Sequence, residues 1–140
     1  NRAVGSDKNM VEPARFVARA FAAQGAPVYQ YRFGYVAEEK REVDVWGAGH
    51  ASDVAYGFDR LSAMLDHPTQ QDQAVATRLA DYWANFARNG DPNGHGLPNW
   101  PRFETQTDRL LSVTPQGGFV GETDPLKARL DFMQGRADNH

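Results

Sequence analysis

The sequence predicts an α/β fold built around a parallel sheet, and three observations carry that prediction. Helical periodicity over 12–23 gives way, after a Gly25–Pro27 break, to aromatic alternation over 28–36. A longer helical stretch covers 70–88, and the apolar run 109–113 supplies one more strand. Helix and strand alternating over short connections is the order of a parallel sheet. Two strands are too few for one, because parallel strands need neighbours and helical cover on both faces. Residues 1–140 therefore read as one segment of a single larger domain, incomplete on its own. The opening Asn1-Arg2-Ala3-Val4-Gly5-Ser6-Asp7 fits an internal cut better than a natural amino terminus.

Each element follows from local chemistry. Pro13 suits the first turn of a helix from Glu12 to Ala23, where an amide has no intrahelical acceptor to lose. Phe16, Val17, Ala20, Phe21 and Ala22 give it one apolar face, and Gly25 stops it. In the strand from Val28 to Val36, alternation puts Tyr29, Tyr31, Phe33 and Tyr35 on one side. The charged stretch Glu38 to Glu42 is an exposed loop. Beyond a glycine-rich turn, Asp53 stands where an N-cap belongs for a helix from Val54 to about Leu65, carrying Tyr56, Phe58, Leu61 and Leu65. Thr69 caps the helix Gln70–Arg88, with Asp72 in its first turn and a core stripe of Val75, Leu79, Tyr82, Trp83 and Phe86. Asn89-Gly90-Asp91-Pro92 ends that helix. The proline- and glycine-rich loop 91–103 is clamped to the body by Trp100 and Phe103. Arg109–Val113 is a strand, Gln116-Gly117-Gly118 a turn, and Asp124 or Pro125 to Met133 a final amphipathic helix with Leu126, Leu130, Phe132 and Met133. The tail 135–140 frays.

Composition narrows the function. A net charge of -3, with 15 basic and 18 acidic residues intermixed, offers no basic stripe for nucleic acid. No apolar run approaches a membrane span, and no signal-peptide core is visible. The absence of cysteine removes disulfides and thiolate chemistry without fixing a compartment, so secreted, periplasmic and cytoplasmic locations all stay open.

The residue that carries chemistry is His50, in the run Trp46-Gly47-Ala48-Gly49-His50-Ala51-Ser52-Asp53. Small neighbours leave its imidazole uncovered, and a strand-to-helix junction is a favoured place for ligands in open α/β sheets. On spacing alone, a turn histidine bonded to a backbone carbonyl is the favoured explanation. A histidine base needs a nucleophile and an orienting carboxylate. No Gly-x-Ser-x-Gly elbow occurs in the sequence, and Ser6, Ser52, Ser62 and Ser112 lack a nucleophile's surroundings. Asp53 is better placed to cap the following helix or to support the histidine from behind than to act directly; Asp44 is a distant alternative. Trp46 and Gly49 are candidates to line a substrate pocket, against simple packing for the indole. His67, His95 and His140 share no metal-ligand spacing, so no metal site is expected.

Several pieces taken together resemble the carboxyl-terminal portion of type B carboxylesterases, the α/β-hydrolase family that includes the cholinesterases. They are Gly25-Ala26-Pro27-Val28-Tyr29-Gln30-Tyr31-Arg32-Phe33, Gly47-Ala48-Gly49-His50-Ala51-Ser52-Asp53, Tyr56-Gly57-Phe58, the run from Tyr82 to Gly94, and Leu97-Pro98-Asn99-Trp100-Pro101. The resemblance implies the last parallel strands of an α/β-hydrolase sheet with their flanking helices. It implies hydrolysis of small carboxylic esters through an acyl-enzyme, with His50 as general base and acid. The nucleophilic serine, the triad acid and the oxyanion hole would then belong to an upstream, amino-terminal remainder, and neither cofactor nor metal is required. A binding or adhesion module of the same fold, or a purely structural half, is the alternative.

Overall fold

The computed structural model describes residues 10–137. Chain contacts divide it into two compact units. The first comprises the described parts of Asn1–Gln30, Pro101–Leu110 and Glu122–His140; the second comprises Tyr31–Trp100 and Leu111–Gly121. In order, the regular elements are α1 (Glu12–Ala23), β1 (Tyr31–Phe33), α2 (Ser52–Gly57), α3 (Gln70–Asn89), β2 (Arg109–Val113), β3 (Phe119–Thr123) and α4 (Lys127–Ala137). Short 3-10 turns at Glu38–Lys40 and Leu61–Ala63 flank α2.

The α/β expectation holds as a mixed segment with a small three-stranded sheet, ordered β1-β2-β3. β1 and β2 run parallel, with Tyr31 opposite Leu111, Arg32 opposite Ser112 and Phe33 opposite Val113. Parallel neighbours require a long crossover, and α2 and α3 lie within it. Of the strand expected over 28–36, only Tyr31–Phe33 is regular strand. β3 was not anticipated: it follows the expected Gln116-Gly117-Gly118 turn, which the Thr114 amide closes on the Gly118 carbonyl at 2.8 Å. Gly117 has φ +79, a left-handed conformation that favours glycine.

In the first unit, α1 has the expected span, yet its apolar face is not the buried one. Phe16 and Phe21 are 71% and 55% exposed, while Arg15 and Ala18 are buried. The cause is electrostatic. Arg15 Nε and Nη2 donate to Asp108 Oδ2 at 2.9 and 2.6 Å, and Nη2 also reaches Asp131 on α4. Arg19 Nη2 adds bonds of 3.1 Å to both Asp108 oxygens. α1 thus turns its cationic face toward these carboxylates, and Arg15 Nη1 lies 3.6 Å from Glu12 Oε2. Burial lowers the Arg15 pKa, but the bonds to Asp131 and Asp108 outweigh it and hold the group above its ordinary value. Asp108 also accepts the Asp124 amide on its carbonyl at 2.9 Å. The Asp124 carboxylate accepts the Leu126 amide at 2.8 Å, so the closing helix starts at Lys127 rather than at 124 or 125. It continues to Ala137, through the start of the expected frayed tail; 138–140 lie outside the described residues.

The second unit is held by α3. Its capping box is complete: the Asp72 amide donates to Thr69 Oγ1 at 3.2 Å, and the Thr69 amide donates to the Asp72 carboxylate at 2.7 Å. Val75, Leu79 and Tyr82 are buried as the stripe requires, Trp83 is half-buried and Phe86 is exposed. Gly90, at φ 71, ends the helix. The loop that follows is tied to itself: Asn93 accepts the Trp100 amide at 2.7 Å and donates to its carbonyl at 3.0 Å. Trp100 is buried edge-on to Tyr82 and Tyr31, at 5.4 and 5.5 Å between ring centres. Phe103, in the first unit, is also buried, and its amide donates to the Val28 carbonyl at 2.8 Å.

Two consequences for stability can be measured by equilibrium urea unfolding. A Cβ on Gly57 would lie 2.7 Å from the Trp83 ring, so Gly57→Ala is expected to cost about 1–3 kcal/mol, as overpacking does. Arg15→Met leaves the buried Asp108 carboxylate with Arg19 as its remaining cation, and loss of the charged hydrogen bonds from Arg15 is expected to cost about 1.5–3 kcal/mol.

Candidate functional site

The histidine loop is built by backbone bonds. The Gly47 amide closes on the Asp44 carbonyl at 3.0 Å, and the Ser52 amide closes on the Gly49 carbonyl at 3.2 Å. The Ser52 hydroxyl donates to that same carbonyl at 2.8 Å, which uses Ser52 as a staple of the turn. Gly47 takes φ +100, a conformation open to glycine. Ala51 takes φ 62, so the chain reverses immediately after His50 and enters α2 at Ser52. His50 itself is exposed.

α2 differs from its sequence expectation at both ends. It starts at Ser52 with Ala51 in the capping position and no side-chain cap. Asp53 therefore lies inside the first turn, and its carboxylate accepts the Tyr31 hydroxyl instead of capping. The helix also stops at Gly57, not near Leu65. Phe58 is exposed, Asp59 takes φ 50, and Leu61 begins a separate 3-10 turn with its side chain buried. The left-handed Asp59 leaves the helical path, and the close approach of Trp83 leaves no room for a side chain at Gly57.

Aromatic contacts seat this short helix. Tyr56 is buried 5.1 Å from the Phe33 ring and 5.8 Å from that of Tyr35. The Tyr35 hydroxyl donates to the Asp72 carboxylate at 2.7 Å. Burial, and then that bond, push the Tyr35 hydroxyl up to about 12. Burial raises Tyr82 to about 12 as well. Burial and the bond to Asp53 raise Tyr31 well above the usual tyrosine range.

Beside the loop lies a cleft of about 140 Å³ whose lining includes Tyr35, Asp44, Gly49, Ser52, Tyr56 and Met64. Gly49 thus borders a concave surface, and Asp44 shares it. Trp46 is 83% exposed. His67 and His95 are exposed, and His140 and Ser6 lie outside the described residues. Glu39, in the stretch read as plain exposed loop, accepts the amides of His67 and Asp66 at 2.7 and 3.1 Å; these bonds, His67's first, lower its pKa. Among the described residues no group of three or more acidic or histidine side chains could hold a metal ion, and no helix is long and apolar enough to cross a membrane.

Sequence reasoning missed the Tyr31–Asp53 and Tyr35–Asp72 bonds. Each joins residues far apart in sequence, and alternation over 29–35 marks the tyrosines as inward-facing without showing what their hydroxyls meet.

The sequence profile of the Carboxylesterase family matches residues 2–132. Rat "Liver carboxylesterase B-1" is 35% identical over 119 residues, which cover 83% of this chain and 20% of that protein. Human "Cocaine esterase" is 34% identical over 134 residues, 92% of this chain and 23% of that protein. Mouse "Pyrethroid hydrolase Ces2a" is 33% identical over 145 residues, 96% of this chain and 26% of that protein. The chain thus spans about a fifth to a quarter of the length of these relatives.

The raised tyrosines have a pH consequence. A neutral Tyr35 is favoured in the folded state, so its contribution is fully present below the unfolded value near 10 and is lost as pH climbs through about 12. Unfolding free energy is expected to fall across that window, and Tyr35→Phe to flatten the fall in part, since Tyr82 titrates there too. Urea midpoints from pH 9 to 12, on the order of half a unit apart, check this.

Proposed function

This chain belongs to the carboxylesterase family, and from that premise we propose that it supplies the catalytic histidine of a serine carboxylesterase. The observation that carries the reading is His50, exposed just before α2 on a turn stapled by Ser52, within a run that resembles the histidine loop of the family. Uncovered imidazole on a fixed backbone is what a proton-transfer group needs.

The chemistry follows from that role. His50 takes the proton of a serine hydroxyl as the serine attacks the ester carbonyl, then delivers it to the departing alcohol. In the second half it takes a proton from water, which attacks the acyl-enzyme, and returns that proton to the serine oxygen as the acyl–serine bond breaks and the carboxylic acid leaves. Ester and water are consumed, acid and alcohol are formed, and the histidine ends as it began. Serine, acid and oxyanion donors come from the polypeptide upstream of the matched portion. Gly49, on the cleft, and Trp46, exposed beside the loop, are the chain's own candidates to contact the acyl or alcohol group. The partners are thus a small carboxylic ester and the amino-terminal remainder of the esterase.

In a polypeptide carrying this chain with that upstream part, His50→Ala is expected to lower kcat toward an ester by at least about a thousandfold, as loss of a triad member does. The thermal midpoint should hardly move, because His50 is exposed. Parallel kcat and melting measurements test this; full turnover in the variant overturns the assignment.

A further inference from the structure

We propose that Tyr31 is a positioning residue for the histidine loop, acting through its hydrogen bond to Asp53; the inference rests on the reading of His50 given above. α2 has six residues, starts from a left-handed Ala51 and has no side-chain cap. A helix this short does not hold itself together in water, so the orientation of its first turn must come from tertiary ties. The polar tie is the Tyr31 hydroxyl donating to Asp53 Oδ2.

Tyr31 is a firm anchor. Its backbone is in register with Leu111 in the parallel pair, and its ring stands edge-on to Trp83 and Trp100, at 6.4 and 5.5 Å. Its raised pKa keeps the hydroxyl a donor throughout the neutral range. Between Asp53 and His50 there is little slack: the Ser52 amide and hydroxyl both fix the Gly49 carbonyl, and the Val54 amide closes on the Ala51 carbonyl at 3.2 Å. A shift of the first turn of α2 is therefore passed to the residue three positions before Asp53. Misplacement of a reacting group by about 1 Å can cost on the order of a hundredfold in rate.

The test compares variants of the full-length polypeptide on a p-nitrophenyl ester, with kcat and KM separated and melting followed by circular dichroism. Tyr31→Phe keeps the ring and removes the donor. It is expected to lower kcat by about tenfold or more, with KM within about twofold of the parent and little change in melting. Asp53→Ala should lower kcat alike, and the double variant should be no worse than either single one, since both delete the same bond. Asp53→Asn keeps an acceptor and should restore most of the rate lost in Asp53→Ala. Full kcat in Tyr31→Phe while His50→Ala is inactive overturns this proposal alone, as do losses that multiply in the double variant. Full turnover in His50→Ala overturns the histidine assignment and this proposal with it.

Discussion

The second unit depends on one buried carboxylate. Asp72 is wholly inaccessible and accepts the Tyr35 hydroxyl together with the amide and hydroxyl of Thr69. Its two sets of donors stand at opposite ends of a long excursion of chain, just after β1 and just before α3. A single acceptor thereby closes the segment that contains the histidine loop, and closing a loop of this length removes much of the freedom its backbone would otherwise keep. The arrangement suits a carboxylate because several donors converge on it, and a buried acceptor so satisfied is far less costly than one left alone.

Aromatic rings do the remaining work of this unit. Tyr56 packs against the rings of Phe33 and Tyr35, and the Trp83 ring closely approaches Gly57. The helix after His50 is consequently short and well fixed, two properties that its sequence alone would not combine. The first unit uses a different device, with Arg15, Arg19, Asp108 and Asp131 assembled from residues far apart in sequence. Each unit thus has its own buried acidic residue as a hub, one served by hydroxyls and amides and the other by guanidinium groups.

Local chemistry made α3 legible almost to the residue, since its cap, its stripe and its Asn-Gly-Asp-Pro stop all lie in the helix itself. The exposure of His50 was equally legible from the small residues around it. α1 was legible as a helix but not in its orientation, because an apolar face reads as inward until Asp108 and Asp131 are known to await Arg15. β3 escaped notice although Phe119 and Val120 follow a Gly-Gly turn, a pattern that marks a hairpin partner. The need for glycine at position 57 depends on Trp83 arriving from another helix, which no window around Gly57 contains. The partner of Asp53 was out of reach for the same reason, since it is a strand residue that only the fold brings near.

The left-handed backbone at Ala51 acts as a filter on sequence drift. Glycine, asparagine, aspartate and small residues tolerate such a conformation, whereas β-branched and bulky side chains are strongly penalised there. Sequence drift therefore cannot easily install a β-branched or bulky residue directly after His50. The open space beside His50 is thus protected by chain geometry as well as by chemistry, and adaptation of this surface is channelled toward positions such as Trp46, Val54 and Phe58, whose exposed side chains are under no such restriction.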